Sequence, residues 1–589
     1  MQVRSILCML CILFSLHSCK EQTKKIASSA ELKTIFNNYW EDRMKLFPLE
    51  ATATGDNRYN DKLPISISAS YRDTLVQFYT KYAEQSKKIN SPLNEEDEMS
   101  KELFDYEIGI NLEGLQYPSH LMPINQFWSF LLEFPQLGSG DGNQPFKTVK
   151  DYDNFLQRIK AFPAWIDTAI SNMQFGIKKG YILPRVLAEK MVPQFKTVVT
   201  IDPMKSIFYN PIHSLPNTFS AEEKKRLQNA YNFEIGKCII PAYFKMQAFI
   251  EKEYIPACRE THGISSLPNG AAYYQYLIKN YTTTTLTPDS IYHLGLSEVA
   301  RIKSEMEKVK EEVHFKGSLQ EFFKDLNGNK AYCPFTTPKQ VLDSFWAIKK
   351  IEDAHLQDLF ESFPKTKFGI RQTEAYRAAS ASAEYNPGSA DGSRPGIFYT
   401  PILDPRKFNI VGMETLFLHE AIPGHHFQIS LQQENTNLPQ FRKFLNYSAY
   451  AEGWALYTET LGKELGLYSN PYQYIGHLSD AMHRAIRLVV DVAIHTKGMK
   501  REEAIQFMMD NERITEPEAA AEIERYMAIP GQALSYKIGQ LTISSMKEKY
   551  KKELGAKFDI KSFHTQLLDG GNMPLEVLQK KLDRWAKSL

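Results

Sequence analysis

The sequence predicts a mainly α-helical protein with two helical lobes and one small β-sheet. Most of the chain alternates amphipathic stretches, whose apolar residues recur at helical spacing, with loops marked by proline and glycine. Sequence that is both β-prone and rich in turn residues is confined to residues 367–400. At 589 residues the chain is longer than one hydrophobic core usually organises, so we expect two lobes.

The amino terminus predicts export. Arg4 precedes an apolar run at residues 6–16, which is too short for a permanent membrane span and is typical of a signal peptide. The run ends in Leu-His-Ser-Cys, which is similar to a bacterial lipobox with Cys19 as the lipidated residue. His17 stands where a small residue is usual, so an ordinary secretory signal is the alternative. We predict a signal peptide, a polar tether and anchorage to the cell envelope, in the periplasm or at the outer membrane; the signal covers residues 1–19 and the tether residues 20–30.

Composition argues against a nucleic-acid partner. The chain carries 70 basic and 69 acidic residues, and no basic patch dominates. Beyond the predicted signal peptide, Cys238, Cys258 and Cys333 are odd in number and widely separated, so no disulfide framework is expected.

The amino-terminal lobe is predicted to span residues 31–262. Three of its stretches have helical spacing, at residues 71–88, 152–176 and 221–253. A long glycine-containing loop is expected at residues 121–148, either lining a cleft with its aromatic side chains or docked onto the body.

The carboxy-terminal lobe is predicted to span residues 263–589. Thr287, Pro288 and Asp289 form a strong helix start, with threonine as the cap and proline in the first turn, and the helix is expected to continue to about residue 312. The β-prone residues 396–400 lie shortly before a histidine-rich segment. We expect them to form an edge strand that pairs with the backbone of a substrate.

The histidine-rich segment begins at His419 and reads His-Glu-Ala-Ile-Pro-Gly-His-His-Phe-Gln. Zinc hydrolases use neutral imidazoles as ligands and a nearby carboxylate as general base. The usual metalloprotease helix places its histidines at positions i and i+4, on one face. Here the next histidine is His425 at i+6, which falls about 120° off that face on a continuous helix. His426, at i+7, returns to the face but lies roughly 10 Å along the axis.

Pro423 and Gly424 offer a way to resolve this spacing. Proline removes the N–H that would bond to the carbonyl of His419, and its ring clashes with that carbonyl. Glycine then permits backbone angles that other residues resist. We predict a kink or bulge here that brings His425 to the metal face, whereas a straight helix would exclude a shared metal.

Glu420 is the expected general base, and a third protein ligand is needed for a catalytic zinc site. Glu452 is the best candidate, because 27 residues after His425 leave room for a loop and a second antiparallel helix. Glu459 lies two turns further on the same face and is expected either to hold a ligand imidazole in place or to be a solvated surface carboxylate.

With these residues in place, the chain resembles a bacterial lipoprotein family that is catalogued as a domain of unknown function and classed with gluzincin-type zinc metallopeptidases. The resemblance covers most of the mature chain and is strongest from about Tyr273 onward. It is carried by residues 391–396, 419–425 with Gln428, 452–457, 484–495 and 525–539.

The resemblance implies a zincin-like fold with two helical lobes around a deep cleft and the small sheet beside the active-site helix. It also implies His419, His425 and Glu452 as zinc ligands and Glu420 as base, and it favours His425 over His426. Short peptides are the implied substrates.

Four further residues are candidates for binding the substrate or stabilising an oxyanion. Tyr536 is similar to the downstream tyrosine of related helical zinc peptidases and is predicted to be catalytic, with a core tyrosine as the alternative. His495 is a second candidate for the oxyanion donor. Arg394 and Arg525 are candidates for clamping a peptide carboxylate, although each also fits a structural role. Arg487 and Asp491 are expected to form an i,i+4 ion pair.

Together these patterns predict an exported, lipid-anchored zinc metallopeptidase that hydrolyses short peptides with a water activated by Glu420. One alternative is a zinc hydrolase acting on a non-peptide amide. The other is a peptide-binding lipoprotein that keeps the fold without turnover.

Overall fold

Helices make up most of the protein, as predicted. The computed structural model describes residues 28–198, 200–374, 378, 382–388, 392 and 394–589. The predicted signal peptide, Cys19 and most of the tether lie outside these residues. No helix within the described part of the chain is both long enough and apolar enough to cross a membrane.

The first half of the chain is helical and includes the three predicted helices. A π-helical segment joins α9 to α10, and another joins α10 to α11, so that the predicted helix at 221–253 is nearly continuous. The helices are α1 (Ala30–Leu46), α2 (Pro48–Thr54), α3 (Ala69–Lys87), α4 (Glu95–Gly114), α5 (Phe130–Gly138), α6 (Val149–Lys179), α7 (Arg185–Val198), α8 (Asn210–His213), α9 (Ala221–Glu234), α10 (Ile240–Phe249) and α11 (Ile255–Ala257).

The prediction of a continuous loop at residues 121–148 is wrong in part, because α5 lies within it. Ser129 caps this helix by accepting a hydrogen bond from the N–H of Leu131. Leu131 and Phe134 are fully buried in the core of the amino-terminal lobe. Burial of these apolar side chains outweighs the helix-breaking tendency of Pro135 within the segment.

The second half contains the remaining helices. The cap predicted for α13 is confirmed, because the Thr287 hydroxyl accepts a hydrogen bond from the N–H of Ser290. The helices are α12 (Gly270–Thr282), α13 (Pro288–Glu312), α14 (Leu319–Gly328), α15 (Pro338–Asp353), α16 (Leu356–Leu359), α17 (Met413–Glu420), α18 (His425–Glu434), α19 (Gln440–Lys443), α20 (Ser448–Glu459), α21 (Pro471–Thr496), α22 (Arg501–Asn511), α23 (Glu516–Ala528), α24 (Leu534–Leu554), α25 (Ile560–Leu568) and α26 (Leu575–Ser588).

The small sheet lies where the sequence predicted it, but its strand order differs from expectation. Its strands are β1 (Phe368–Gln372), β2 (Glu384–Asn386) and β3 (Gly396–Thr400), in the order β1-β3-β2. β3 pairs in parallel with β1 and antiparallel with β2. The prediction that residues 396–400 form an edge strand is therefore wrong, since both sides of β3 are already hydrogen-bonded. β2 is the edge strand on one side.

The hydrophobic side chains form several cores. One lies wholly within residues 124–258. The largest gathers residues of α17, α20 and α24 and also includes Met99 and Leu103 from α4. Phe441 packs with side chains of α1, α3 and α4 in another core. The amino-terminal helices thus pack against the carboxy-terminal half, and the division at residue 262 remains a prediction.

α20 and α24 cross at very short range because glycine lies on both helices. A Cβ atom added at Gly539 would lie 1.9 Å from the carbonyl oxygen of Ala449 and 2.7 Å from the Cα of Gly453. These neighbours are backbone atoms, so they have little freedom to move aside. The crossing brings the first turn of α24 close to the part of α20 that carries Glu452.

We expect Gly539→Ala to destabilise the protein by about 1–3 kcal/mol, because the added methyl group forces these helices apart. Gly109→Ala is the matched control, since a Cβ at this helical position meets nothing within 4 Å and alanine favours the helix. Thermal unfolding should show a lower transition temperature for Gly539→Ala and an unchanged or higher one for Gly109→Ala. Equal temperatures for both variants would argue against a tight crossing.

Candidate metal centre

The helix that begins at Met413 breaks where the sequence predicted it. α17 ends at Glu420 and α18 begins at His425. The Ile422–Pro423 peptide bond between them is cis. A Cβ atom on Gly424 would lie 2.0 Å from the carbonyl oxygen of His419, so only glycine fits this turn. The break is confirmed, and it changes the direction of the chain between the two histidines.

The break brings His419 and His425 to the same carboxylate. The Nε2 atom of each imidazole lies 3.5 Å from Oε2 of Glu452, on α20. The two rings are perpendicular, with centroids 4.9 Å apart. One ligand atom from each residue lies within 4.8 Å of the other two. The three residues singled out in the sequence therefore form one compact group.

α20 is held against the break by hydrogen bonds to its carbonyl groups. The indole N–H of Trp454 donates to the Pro423 carbonyl at 2.9 Å. The hydroxyl of Thr458 lies 3.0 Å from the Leu418 carbonyl oxygen and also bonds within its own helix to Ala455. These contacts position the helix that carries Glu452.

Glu459 orients the imidazole of His419. Nδ1 of His419 lies 2.8 Å from Oε1 of Glu459, which is 1% exposed. A hydrogen bond from Nδ1–H leaves the Nε2 lone pair facing Glu452, which is the orientation that a metal ligand needs. The buried position of Glu459 excludes the alternative of a solvated surface carboxylate.

His426 points away from this group. Its Nδ1 is hydrogen-bonded to the Tyr385 hydroxyl of β2 at 2.8 Å, and its ring packs on Phe368 of β1. Of the two adjacent histidines, it is therefore His425 that reaches Glu452.

Glu420 adjoins the same group from the end of α17. Burial raises the pKa of its carboxyl group, and the nearby imidazoles of His419 and His425 oppose this effect. The backbone of Tyr385 also opposes this rise, so the edge strand β2 lies near this carboxylate. A carboxylate with a raised pKa is a stronger base than an exposed one.

The electrostatics of the group favour a bound cation. Burial disfavours charge on His419, yet hydrogen bonds to Glu452 and Glu459 raise its pKa to about 10. Burial also disfavours charge on Glu452, but hydrogen bonds to His419 and His425 hold its pKa well below the usual value. Three carboxylates thus surround two imidazoles in a recessed place, and positive charge there is stabilised.

The spacing of the donor atoms fits zinc. Two ligands about 2.0–2.1 Å from a tetrahedral ion are separated by roughly 3.3–3.4 Å. Each imidazole Nε2 is 3.5 Å from the Glu452 oxygen, close to that value. Two imidazoles and one carboxylate are also the donor set of many catalytic zinc sites, so the residues present fit this metal.

Tyr536 lies beside the candidate metal centre. Burial raises the pKa of its hydroxyl, and the neighbouring Glu452 carboxylate raises it further. The residue remains partly exposed, at the first turn of α24. It is therefore a protonated donor close to Glu452.

The other predicted binding residues have different surroundings. Arg394 is exposed next to β3. Arg525 makes a bidentate pair with Glu522, at 2.9 and 3.1 Å, and donates to Gln532 at 2.8 Å. These contacts occupy its guanidinium group within the protein.

The proposed oxyanion role of His495 is contradicted by its hydrogen bonds. The fully buried ring accepts from the N–H of Ile264 at 3.0 Å and donates to the carbonyl of Tyr526 at 3.1 Å. Both ring nitrogens are occupied by backbone groups, so neither is available to a substrate.

The predicted Arg487–Asp491 pair does not form either. Asp491 accepts hydrogen bonds from the Tyr274 hydroxyl and the Gly531 N–H. Arg487 is directed instead to residues of α21 and α23. Helical spacing allowed the pair, but tertiary partners compete for both side chains.

Sequence reasoning missed Tyr385 and Trp454, which hold the site together. Tyr385 lies in a segment rich in turn residues, which predicts backbone conformation but gives no signal for a role of the tyrosine side chain. Trp454 sits beside Glu452 in the resembling stretch, and a bulky aromatic residue there was a usable signal for a contact with the broken helix.

A cavity of about 370 Å³ lies next to β2. It is lined by β2 residues Glu384, Tyr385 and Asn386 and by residues 130–143 of the amino-terminal lobe. The cavity borders the strand that contacts Glu420.

The fold and site define a helical protein with a candidate metal centre at a broken helix. The family described as bacterial protein of unknown function (DUF885) matches residues 48–582, and the chain belongs to this family. The structure is similar to that of a candidate lipoprotein from Colwellia psychrerythraea, with a TM-score of 0.88 and 27% identity over 95% of this chain and 99% of that chain. A candidate lipoprotein of unknown function from Shewanella oneidensis has a TM-score of 0.74 and 20% identity over 94% of this chain and 99% of that chain. No relative is found among curated proteins.

We expect His425→Ala to lose bound zinc and His426→Ala to retain it. His425 is in the group around Glu452, whereas His426 bonds to Tyr385. Elemental analysis after dialysis against dilute zinc measures the zinc content of each variant. Retention by His425→Ala together with loss by His426→Ala would reverse the assignment.

Glu459→Gln should lower zinc affinity about 10–100-fold, because the hydrogen-bonded carboxylate orients His419 and increases its basicity. Competition with a chromophoric chelator measures the affinity. Glu464→Gln, which changes an exposed carboxylate nearby, is the control. Unchanged affinity for Glu459→Gln would mean that the contact does not support a metal ligand.

Proposed function

We propose that the protein is a zinc-dependent hydrolase that cleaves peptide bonds in short peptides. The observation that carries this proposal is the convergence of two imidazole Nε2 atoms on one oxygen of Glu452, with Glu420 directly alongside. A structural zinc site normally has four protein ligands, whereas three ligands and an adjacent buried carboxylate are typical of a catalytic site.

His419, His425 and Glu452 would hold the zinc ion. Bound zinc supplies Lewis acidity, which lowers the pKa of water and polarises a carbonyl group. Glu459 keeps the tautomer of His419 that directs Nε2 to the ion.

Glu420 acts as the general base and then as the acid. Its carboxylate takes a proton from the attacking water and delivers that proton to the nitrogen of the departing amine. The raised pKa that burial gives this carboxyl group suits both steps, because proton transfer in each direction requires a pKa near the working pH.

Tyr536 donates a hydrogen bond to the oxyanion that develops during hydrolysis. Its raised pKa keeps the phenol protonated at neutral pH. Because Tyr536 neighbours Glu452, its hydroxyl lies near the proposed zinc ligands.

β2, rather than the central strand β3, binds the substrate backbone. An edge strand offers unpaired backbone groups to an extended peptide, and β2 lies against Glu420. The cavity beside it supports a zincin-like cleft between the two lobes. Short peptides fit such a recess better than folded proteins do.

We further propose that the protein is exported and lipid-anchored through Cys19. The Leu-His-Ser-Cys sequence and the similarity to candidate lipoproteins support this placement. Peptides in the cell envelope are then the available substrates.

Glu420→Gln should lower the rate of peptide hydrolysis by about 10²–10⁴-fold while leaving bound zinc unchanged, because it removes the base and no ligand. The experiment measures zinc content and cleavage of a short-peptide library, followed by mass spectrometry, for the wild type and the variant.

Cleavage that depends on Glu420 supports the proposal. Zinc binding without cleavage of any peptide would favour hydrolysis of a non-peptide amide or peptide binding without turnover. Absence of zinc from carefully prepared protein would contradict a metalloenzyme.

A further inference from the structure

Two arginines beside the candidate metal centre carry unpaired donors. Arg484 and Arg487 lie one turn apart on α21, which packs against α17 and α24. Arg487 is 7% exposed. Among the described residues, neither Nη1 of Arg487 nor Nε of Arg484 has a hydrogen-bond partner. Buried polar groups are nearly always paired, so these N–H groups require an explanation.

The rest of the Arg487 guanidinium is fixed in place. Its Nε donates to the Tyr526 hydroxyl at 3.0 Å. Its Nη2 donates to Nε2 of His483 at 2.9 Å and to Glu522 at 3.2 Å. The unpaired Nη1 group is therefore held by three contacts and loses little freedom on binding a ligand.

Tyr536 connects these arginines to the site of hydrolysis. The Arg487 guanidinium carbon lies 4.6 Å from the centre of the Tyr536 ring. Tyr536 is partly exposed and neighbours Glu452. Arg484 is close enough to both Tyr536 and Glu459 to interact with them electrostatically. The two arginines therefore lie close to the tyrosine that is proposed to bind the oxyanion.

The geometry points to a carboxylate-binding subsite, formed by Arg484 and Arg487 beside Tyr536, which takes a carboxylate of the peptide substrate. This inference rests on the proposed peptidase function and specifies its substrate class. A carboxylate only accepts hydrogen bonds and offers two oxygens, which matches guanidinium donors in charge and number. Arg525 is not part of the subsite, because each of its three nitrogens already donates to Glu522 or Gln532.

A carboxylate next to the reacting bond comes either from the carboxy terminus of the peptide or from an aspartate or glutamate side chain. In the first case the enzyme removes residues from the carboxy terminus. In the second it cleaves close to an acidic residue.

The test compares three N-acetylated peptides of matched sequence on the wild-type protein. One ends in a free carboxylate, one in a carboxamide, and one in a carboxamide with glutamate as the last residue. We expect kcat/KM for the free acid to exceed that for the amide on the order of 10–100-fold, since charge-assisted hydrogen bonds are lost with the amide. If the peptide with glutamate and a carboxamide end is cleaved with a kcat/KM near that of the free acid, a side-chain carboxylate is sufficient. If its kcat/KM stays near that of the plain amide, the subsite requires the carboxylate of the chain terminus. Equal kcat/KM for all three peptides overturns the subsite.

Arg487→Gln should lower kcat/KM for the free acid more than for the amide, so that the ratio of acid to amide falls towards one. Arg525→Gln is the matched control, because it removes a neighbouring guanidinium whose donors are already paired, and it should leave the ratio of acid to amide unchanged. If the ratio of kcat/KM for the acid to that for the amide falls in Arg525→Gln but is unchanged in Arg487→Gln, Arg487 does not bind the carboxylate. The wild-type comparison decides the question even if a variant fails to fold.

A binding experiment tests the carboxylate subsite independently of the proposed peptidase activity. If no peptide is cleaved, the peptidase proposal fails, and the subsite is then judged by the thermal shift that an N-acetylated dipeptide acid or its amide produces. Stabilisation by the acid alone, lost in Arg487→Gln, supports the subsite. Equal shifts or no shift overturn it.

Discussion

The arrangement of the candidate site depends on how α20 docks against the broken helix α17–α18. A helix that stops leaves carbonyl groups without partners, and such groups are costly when buried. Trp454 donates to one of these carbonyls and Thr458 approaches another. The same helix carries Glu452 and Glu459, so one docking contact both satisfies the break and delivers two carboxylates to the histidines.

Two close backbone approaches make this docking possible. At the break, Gly424 allows the chain to turn back onto the carbonyl of His419. At the crossing of α20 and α24, Gly453 and Gly539 allow helix backbones to meet almost directly. The first approach reorients His425, and the second brings Tyr536 beside Glu452. A side chain at any of these glycines would separate parts of the site.

The surroundings of the site differ in charge from one side to the other. Glu420, Glu452 and Glu459 concentrate negative charge around the two imidazoles, which favours a cation. Near Tyr536, Arg484 pairs with Asp480 and Arg487 with Glu522, and each guanidinium keeps one nitrogen without a hydrogen-bond partner among the described residues. The edge strand β2 lies against Glu420. The proposed peptidase function and the proposed carboxylate subsite are compatible: one peptide would pair with β2 and place a carboxylate against these arginines.

The local features of the protein could be predicted from the sequence alone. Helical periodicity predicted α3 and α6, the start signal at Thr287 predicted α13, and Pro423-Gly424 predicted the break, because each depends on neighbouring residues along the chain. Residue chemistry also selected His419 and Glu452, and the family resemblance favoured His425 over His426. Tertiary structure alone decided that β3 is central, that α5 is helical despite Pro135, that His495 is occupied by backbone groups, and that Asp491 bonds to Tyr274 rather than to Arg487. These outcomes depend on competition among partners distant in sequence, which local propensity does not encode.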